Sequence, residues 1–358
     1  MRNKKIIIFR ADNIGDFLFS TSLLKGIKNS YPESTITMVC SERNAKIARL
    51  YNIIDNIIIF ERSYNLIKKF KLYWEILVQK YYAAFAIDGK KFSILNVILM
   101  RSKFKFLIKY RKVKKILGIN IKFHRPWNLI DKLFFTNSQT FYSSDPDSSV
   151  CHMPTLYLTL LKGFNVNVST KDPYFFPHDE KINDTFKKFY TTEINEKYIL
   201  LHLDEKWIDI DFQNGDFFKE IINLQKKTNK LLIITSYKNE FQYYKNIKSR
   251  LTIFKFDENN TYKKENSNLD YKIHLVENLS LSFFERLICN SELTISCHTA
   301  YVTQLSACNN TKNIDLINLN RNEWYNCWVP KNIIYHRVYK DKLDKLFKNI
   351  IIKANLIL

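Results

Sequence analysis

A continuous apolar run, Ile6-Ile7-Ile8-Phe9, opens the chain without the polar alternation of a half-exposed strand. Such a run predicts a strand covered on both faces, as in a parallel sheet. The stretch Arg10-Ala11-Asp12-Asn13-Ile14-Gly15-Asp16 follows it. Phe17, Leu18, Leu24 and Ile27 then fall at helical spacing until Tyr31-Pro32 stops the pattern. The acidic turn thus sits at the C-terminal end of a buried strand, where open α/β sheets bind ligands.

The alternation continues along the first half. Strands are predicted at 34–40, 57–60 and 83–88, with a short helix at 45–51 and a long amphipathic helix at 65–82. The strand at 83–88 ends in a second acidic turn, Asp88-Gly89-Lys90. Residues 120–150 read as loop-rich, and a helix opens at Cys151-His152-Met153-Pro154 and closes at Gly163. Prolines 173 and 177 suit an interdomain connection. A second set of units begins at Tyr198, with strands at 198–203, 231–235, 252–256, 293–296 and 314–319. Helices are predicted at 217–224, 241–251, 280–289, 300–308 and 341–351. Strand and helix alternating in this way imply βαβ units and parallel sheets. With 358 residues, two domains are expected, at 1–175 and 176–335, and residues 336–358 are expected to return as a helix onto the first.

Charge adds a partner class. Lys and Arg number 56 against 35 Asp and Glu, a formal +21, which favours an anionic partner such as nucleic acid, a phosphate-rich lipid surface or a phosphorylated sugar. The bias peaks at 101–115, which carries Lys105, Lys109 and Lys112 among eight basic residues, with Phe104, Phe106 and Tyr110 interleaved. It reads as an anion-binding surface or, more blandly, as a solvated lysine face over core aromatics. No nucleic-acid-binding motif accompanies it. The six cysteines form no CxxC and no zinc-finger spacing, so a reducing compartment without a structural metal is expected. No apolar run approaches the ~20 residues of a spanning helix, and the N-terminus is unlike a signal peptide.

Two turns carry the candidate chemistry. The first has a single glycine and neither GxGxxG nor GxxxxGK[ST], so it reads as the seat of a reacting carboxylate rather than a phosphate cradle. The alternative is that Asp16 only caps the following helix. The second is Ser296-Cys297-His298-Thr299-Ala300, which joins a buried strand to a helix N-terminus able to hold a diphosphate. Against that stands a plain capping turn with a satisfied histidine.

Together the two turns resemble glycosyltransferase family 9, the lipopolysaccharide heptosyltransferases. The opening strand, Arg10, Ile14-Gly15-Asp16 and Tyr31-Pro32 match the family's start. Leu279-Ser280-Leu281, Phe284, Ile288 and the stretch from Leu293 to Ala307 resemble its C-terminal signature, and Trp324 with Trp328-Val329-Pro330 its later tryptophan-proline element. His298 stands where the family has Asp, Ala300 where it has Gly and Thr303 where it has His, and Lys206-Trp207 is a remnant of its Lys-x-Trp-Pro.

The resemblance implies a GT-B fold, two Rossmann-like parallel-sheet domains facing a central cleft. It implies an inverting, metal-independent transfer of heptose from ADP-heptose to a phosphorylated lipopolysaccharide core acceptor, with Asp16 as general base. Lys206, Trp207, Ser296, His298, Thr299 and Ala300 would bind the donor. Arg10, Asn13, Lys105, Lys109 and Lys112 would bind the acceptor, and no metal or other cofactor is expected. The implied setting is the inner face of the cytoplasmic membrane, with a phosphorylated glycolipid and no nucleic acid as partner. Transfer of a different nucleotide-activated sugar to a surface glycan, or a non-catalytic basic binding protein on the same scaffold, are the alternatives.

Overall fold

The computed structural model describes residues 4–61, 63–112, 114–116, 119–121, 128–143, 152–164, 166, 174–177, 179–204, 206–207, 210, 216–236, 247–266, 271–298 and 300–358. The chain divides into two compact units, Met1–Pro177 with Glu323–Val329, and His178–Asn322 with Pro330–Leu358. The change at Pro177/His178 compares with 175/176 expected from the sequence.

The first unit is built on a six-stranded, all-parallel sheet. Its strands are β1 (Lys5–Arg10), β2 (Thr35–Cys40), β3 (Asn56–Ile59), β4 (Lys80–Ala86), β5 (Arg101–Lys112) and, after a small hairpin of β6 (Lys114–Ile116) with β7 (Ile119–Ile121), β8 (Asn137–Ser143). The spatial order is β3-β2-β1-β4-β5-β8. The uninterrupted Ile6–Phe9 run is fully buried because β1 lies between β2 and β4, with helices on both faces. The chain winds outward from β1 to β3, then jumps back across β1 to β4. Sheet order therefore reverses between β1 and β4, and a ligand crevice forms at such a reversal, beyond the strands' C-terminal ends. Both acidic turns, after β1 and after β4, lie there.

Helices α1 (Ile14–Ser30) and α2 (Glu42–Ala48) follow β1 and β2, and α3 (Leu66–Val78) and α4 (Lys91–Leu99) cover one sheet face, where Ile76 and Val97 join Ile7, Phe9, Ala84 and Leu107 in one core. The helix predicted to run to residue 82 stops at Val78, because Lys80 and Tyr81 are already paired with Arg101 and Ser102 in the sheet. Ladder pairing outweighs helical periodicity at that point. The loop-rich reading of 120–150 missed β8 and a short helix, α5 (Asn128–Phe134).

The second unit has an eight-stranded sheet in the order β12-β11-β13-β10-β9-β14-β15-β16, parallel except for β11 with β12. Its strands are β9 (Tyr198–Leu203), β10 (Leu231–Ser236), β11 (Thr252–Phe256), β12 (Tyr262–Glu265), β13 (Ile273–Glu277), β14 (Leu293–Cys297), β15 (Lys312–Ile317) and β16 (Tyr335–Tyr339). Order reverses here between β9 and β14. The terminal helix, Leu343–Ile357, packs in this unit. Leu346, Phe347 and Ile350 are fully buried in the core that holds Trp207, Phe217 and Val338. The predicted helix at 241–251 falls largely outside the described residues.

Candidate functional site

In the first unit Arg10, the last residue of β1, organises the turn. Its side chain is fully buried, and its guanidinium donates to the carbonyl oxygens of Asp16 (3.0 and 2.8 Å) and Ile87 (2.7 Å) and to the hydroxyls of Tyr110 (3.1 Å) and Tyr157 (2.5 Å). It also pairs with Asp12 at 3.1 Å and approaches the Asp16 carboxylate at 3.9 Å. The sequence reading gives Arg10 to the acceptor. In the structure its guanidinium has no exposed surface and braces the two aspartates. Asn13, also read as acceptor-binding, is exposed at the N-cap of α1 (Ile14–Ser30).

Asp16 occupies the third position of α1 and accepts a hydrogen bond from the Asn13 backbone N–H. The capping alternative is thus present in part, as half of a capping box. It does not use up the carboxylate, whose side chain keeps 22% of its surface exposed. Burial pushes the Asp16 carboxyl up, against the opposing pull of Arg10, the Asn13 N–H and Lys90. Asp12 is pushed further, from an ordinary 3.8 to about 7, by burial, with Asp16 and Asp88 adding repulsion and Arg10 opposing. One Asp12 oxygen, Oδ1, has no hydrogen-bond partner among the described residues. Asp88 is buried and raised by that burial, yet accepts from the N–H groups of Ala11 (3.2 Å) and Lys90 (3.0 Å) and from Ser93 Oγ (2.8 Å). It staples the two turns together. Gly89 between them has φ +65°, and a Cβ there would lie 2.1 Å from the Tyr110 ring. Only glycine fits that corner.

The basic run at 101–115 is not one free face. Most of it is β5, an inner strand. Phe106 is buried and stacked on Phe85, and Tyr110 serves Arg10. Lys105 Nζ donates to the Ile98 carbonyl at 2.6 Å, and burial lowers its pKa. Lys109 is ion-paired with the buried Asp131. The ammonium groups of both predicted acceptor residues, Lys105 and Lys109, thus have partners inside the domain. The Lys112 side chain lies outside the described residues.

In the second unit the order reversal between β9 and β14 brings together the turns after those strands. Lys206, just past β9, sends Nζ to the carbonyl oxygen of His298, just past β14. Lys340 Nζ donates to the Lys206 carbonyl at 2.5 Å. His298 is nearly buried, with Nδ1 2.5 Å from Asp315 Oδ2, the oxygen that also accepts from Tyr335 OH at 2.5 Å. One residue back from His298's strand end, a polar row crosses the sheet in register: Thr235, His202, Ser296, Asp315 and Arg337. Burial drops the His202 pKa to about 3, so its ring is neutral, bridging Thr235 Oγ1 (3.0 Å) and Tyr301 OH (2.8 Å).

Of the predicted donor residues, Lys206 and His298 meet at this point, and Ser296 lies two residues before His298 on β14. Ser296 Oγ is fully buried, without a partner among the described residues. The indole of Trp207 is buried, packs on Phe217 and Phe347, and donates from Nε1 to the His202 carbonyl (3.0 Å), which anchors the turn bearing Lys206. Thr299 lies outside the described residues. Ala300 begins the helix Ala300–Cys308, and its side chain is not described. Sequence reasoning missed Asp315, His202, Tyr335 and, on the first unit, Tyr157. The signal for the first two was a lone polar residue inside an apolar strand, Ile314-Asp315-Leu316 and Leu201-His202-Leu203. The tyrosines carried none. Among the described residues no group of three His, Cys, Asp or Glu could hold a metal ion.

No family model and no curated protein matches the sequence. Solved structures do match along almost its whole length. The Escherichia coli heptosyltransferase WaaC with ADP aligns at a TM-score of 0.64 with 13% identity, covering 98% of this chain and 99% of that one. WaaC was also solved with ADP-2-deoxy-2-fluoro heptose. A family 9 glycosyl transferase from Veillonella parvula aligns at 0.66 with 11% identity, covering 98% and 91%. The E. coli ADP-heptose lps heptosyltransferase II aligns at 0.63 with 11% identity, covering 99% and 98%. The order of helices and strands, the one parallel and one mostly parallel sheet and these alignments agree: the chain has the two-domain GT-B fold seen in the family 9 heptosyltransferases.

Proposed function

We propose that the chain is an inverting glycosyltransferase of the heptosyltransferase type, moving heptose from ADP-heptose to a phosphorylated acceptor of the lipopolysaccharide core. The observation that carries the reading is Asp16. It is a carboxylate at the order reversal of a parallel sheet, held by a buried arginine, partly open to solvent and raised by its surroundings. An acceptor hydroxyl attacking an anomeric carbon must lose its proton. Asp16 takes it as the new C–O bond forms and the bond from the anomeric carbon to the diphosphate oxygen breaks, with the electron pair leaving on the nucleoside diphosphate. A carboxylate raised above its ordinary value is a better base for that proton than a solvated one. Because the reaction inverts the centre, no covalent sugar–enzyme intermediate is involved.

In the second unit, Lys206 and the N-terminal end of the helix Ala300–Cys308 supply positive potential for the departing diphosphate, and His298 is steadied beside them by Asp315. These groups can do that work without a metal ion, and activity is expected to survive a chelator. The heptosyltransferases of like fold solved with ADP and an ADP-heptose analogue support the choice of donor. The same reading sets the enzyme at the inner face of the cytoplasmic membrane, where a glycolipid acceptor is exposed.

The test is a thermal-shift screen of nucleotides and nucleotide-sugars followed by transfer assays with the hits. ADP and ADP-heptose are expected to raise the midpoint more than UDP, GDP or their sugars, since a ligand that binds only the folded form stabilises it. A preference for a uridine or guanosine nucleotide would replace the donor while leaving the transfer chemistry standing. No response to any nucleotide would reject the enzyme reading.

A further inference from the structure

Helix α3 exposes large apolar side chains that none of the described residues covers. Leu66 is 83% exposed, Phe70 70%, Trp74 65% and Val78 59%. They recur every fourth residue, so they form one stripe along the helix, widened at its start by Ile67 at 81%. Single exposed leucines are ordinary; a contiguous apolar stripe marks an interaction surface. The opposite side of α3 is already committed to the core through Ile76, with Leu72 packed against it. The stripe is therefore a second apolar face, not a misplaced first one.

The face extends beyond α3. Tyr73 packs on Phe92 of α4, with ring centroids 4.9 Å apart, and α4 adds Leu95 and Leu99, 47% and 57% exposed and again four apart. Charge around the patch has one dominant sign. Lys68, Lys71 and Lys91 are exposed on these two helices, and Glu75 is their only acid. A second copy of the chain docked face to face would set lysine against lysine. A sheet of anionic headgroups would complement them, while long lysine stems let the ammonium groups reach phosphates above buried leucines. Trp74 and Tyr73 suit the boundary between headgroup and acyl chain. The helix is thirteen residues long, about 20 Å at 1.5 Å per residue, enough to lie in the interface and too short to cross it.

We propose that α3, with the exposed edge of α4, is a lipid-docking face that lies in the plane of an anionic bilayer surface and seats the Leu66–Val78 stripe among its headgroups. The proposal gives the first unit a membrane-facing side distinct from the Asp16 turn. It does not depend on the transfer reading, because docking needs neither donor nor acceptor.

The test uses the full chain and vesicles without sugar substrates. Wild type is expected to co-sediment with equimolar phosphatidylglycerol and phosphatidylcholine vesicles and to bind pure phosphatidylcholine at least about tenfold more weakly. Replacing Phe70→Ser with Trp74→Ser removes exposed groups only, so circular dichroism and thermal midpoint are expected to hold while vesicle affinity falls about tenfold or more. Lys68→Gln with Lys71→Gln is expected to weaken binding severalfold and to flatten its salt dependence. Trp74 emission is expected to shift to the blue on vesicles, and Trp74→Phe is expected to keep binding while losing that shift. Equal binding by the Phe70/Trp74 double variant, or no preference for anionic vesicles, would overturn the proposal. So would sedimentation velocity showing that the stripe holds a dimer of this chain that the double variant dissolves.

Discussion

Neutralising Asp12 is expected to stabilise the protein at alkaline pH, although it breaks an ion pair. Asp12 lies 3.1 Å from a buried arginine, an arrangement usually counted as favourable. Here burial and the neighbouring carboxylates outweigh that attraction and raise its pKa from 3.8 to about 7. In the unfolded chain the group ionises near its ordinary value. The folded state therefore binds the proton more tightly, and stability is full below about pH 4 and is lost as pH rises through 7. At 1.36 kcal/mol per unit the shift corresponds to at most about 4 kcal/mol, and solvent reaching the partly exposed side chain lowers the figure to roughly 2–4 kcal/mol. Asp12→Asn keeps the shape of the protonated acid. It is expected to gain about that amount over wild type near pH 8, with the gain shrinking toward zero as the pH approaches 4. Urea unfolding of both proteins across this range measures the difference directly. A gain that does not change with pH, or a loss near pH 8, would show that Arg10 and not burial decides the charge of Asp12.

Two further outcomes follow from the same geometry. Gly89→Ala forces a Cβ into the Tyr110 ring at a left-handed corner, so denaturant unfolding is expected to show a loss of about 2 kcal/mol or more; a change within about 0.5 kcal/mol would mean the corner adjusts freely. The His202 ring is expected to stay neutral from pH 8 to 5 in a histidine NMR titration, because burial lowers its pKa to about 3, and its contribution to stability is lost as pH falls from 6.5 toward 3. A His202 resonance titrating near 6.5 would contradict this.

Much of the fold was legible because buried parallel strands leave so plain a trace. Ile6–Phe9, Leu231–Thr235 and Leu293–Ser296 have no other reading than strands covered on both sides. Less plain were the strands that pair at the edges, such as β12 and β16, whose Lys263 and Arg337 break the apolar run. The position of the terminal helix was illegible, since its apolar face fits any sheet and only the packing of Phe347 on Trp207 and Phe217 decides which. At the site, the carboxylates announced themselves by their place after β1 and β4. Their electrostatics did not. A reference value near 3.9 made Asp16 a weak base, and only the burial around Arg10, Tyr110 and Tyr157 raises it. The partners of the basic run were not legible either, because a sequence counts charges and does not pair them. Lys109 meets Asp131, more than twenty residues away, and Lys105 meets a helix carbonyl.

The central claim is that Asp16 removes the proton from the acceptor. Its most direct test is the turnover of Asp16→Asn, measured beside nucleotide affinity by calorimetry and fold by circular dichroism. The account predicts a fall in kcat of roughly a hundredfold or more with nucleotide affinity and fold unchanged. A variant that turns over within about twofold of wild type would contradict it, because removal of a general base cannot leave the rate standing.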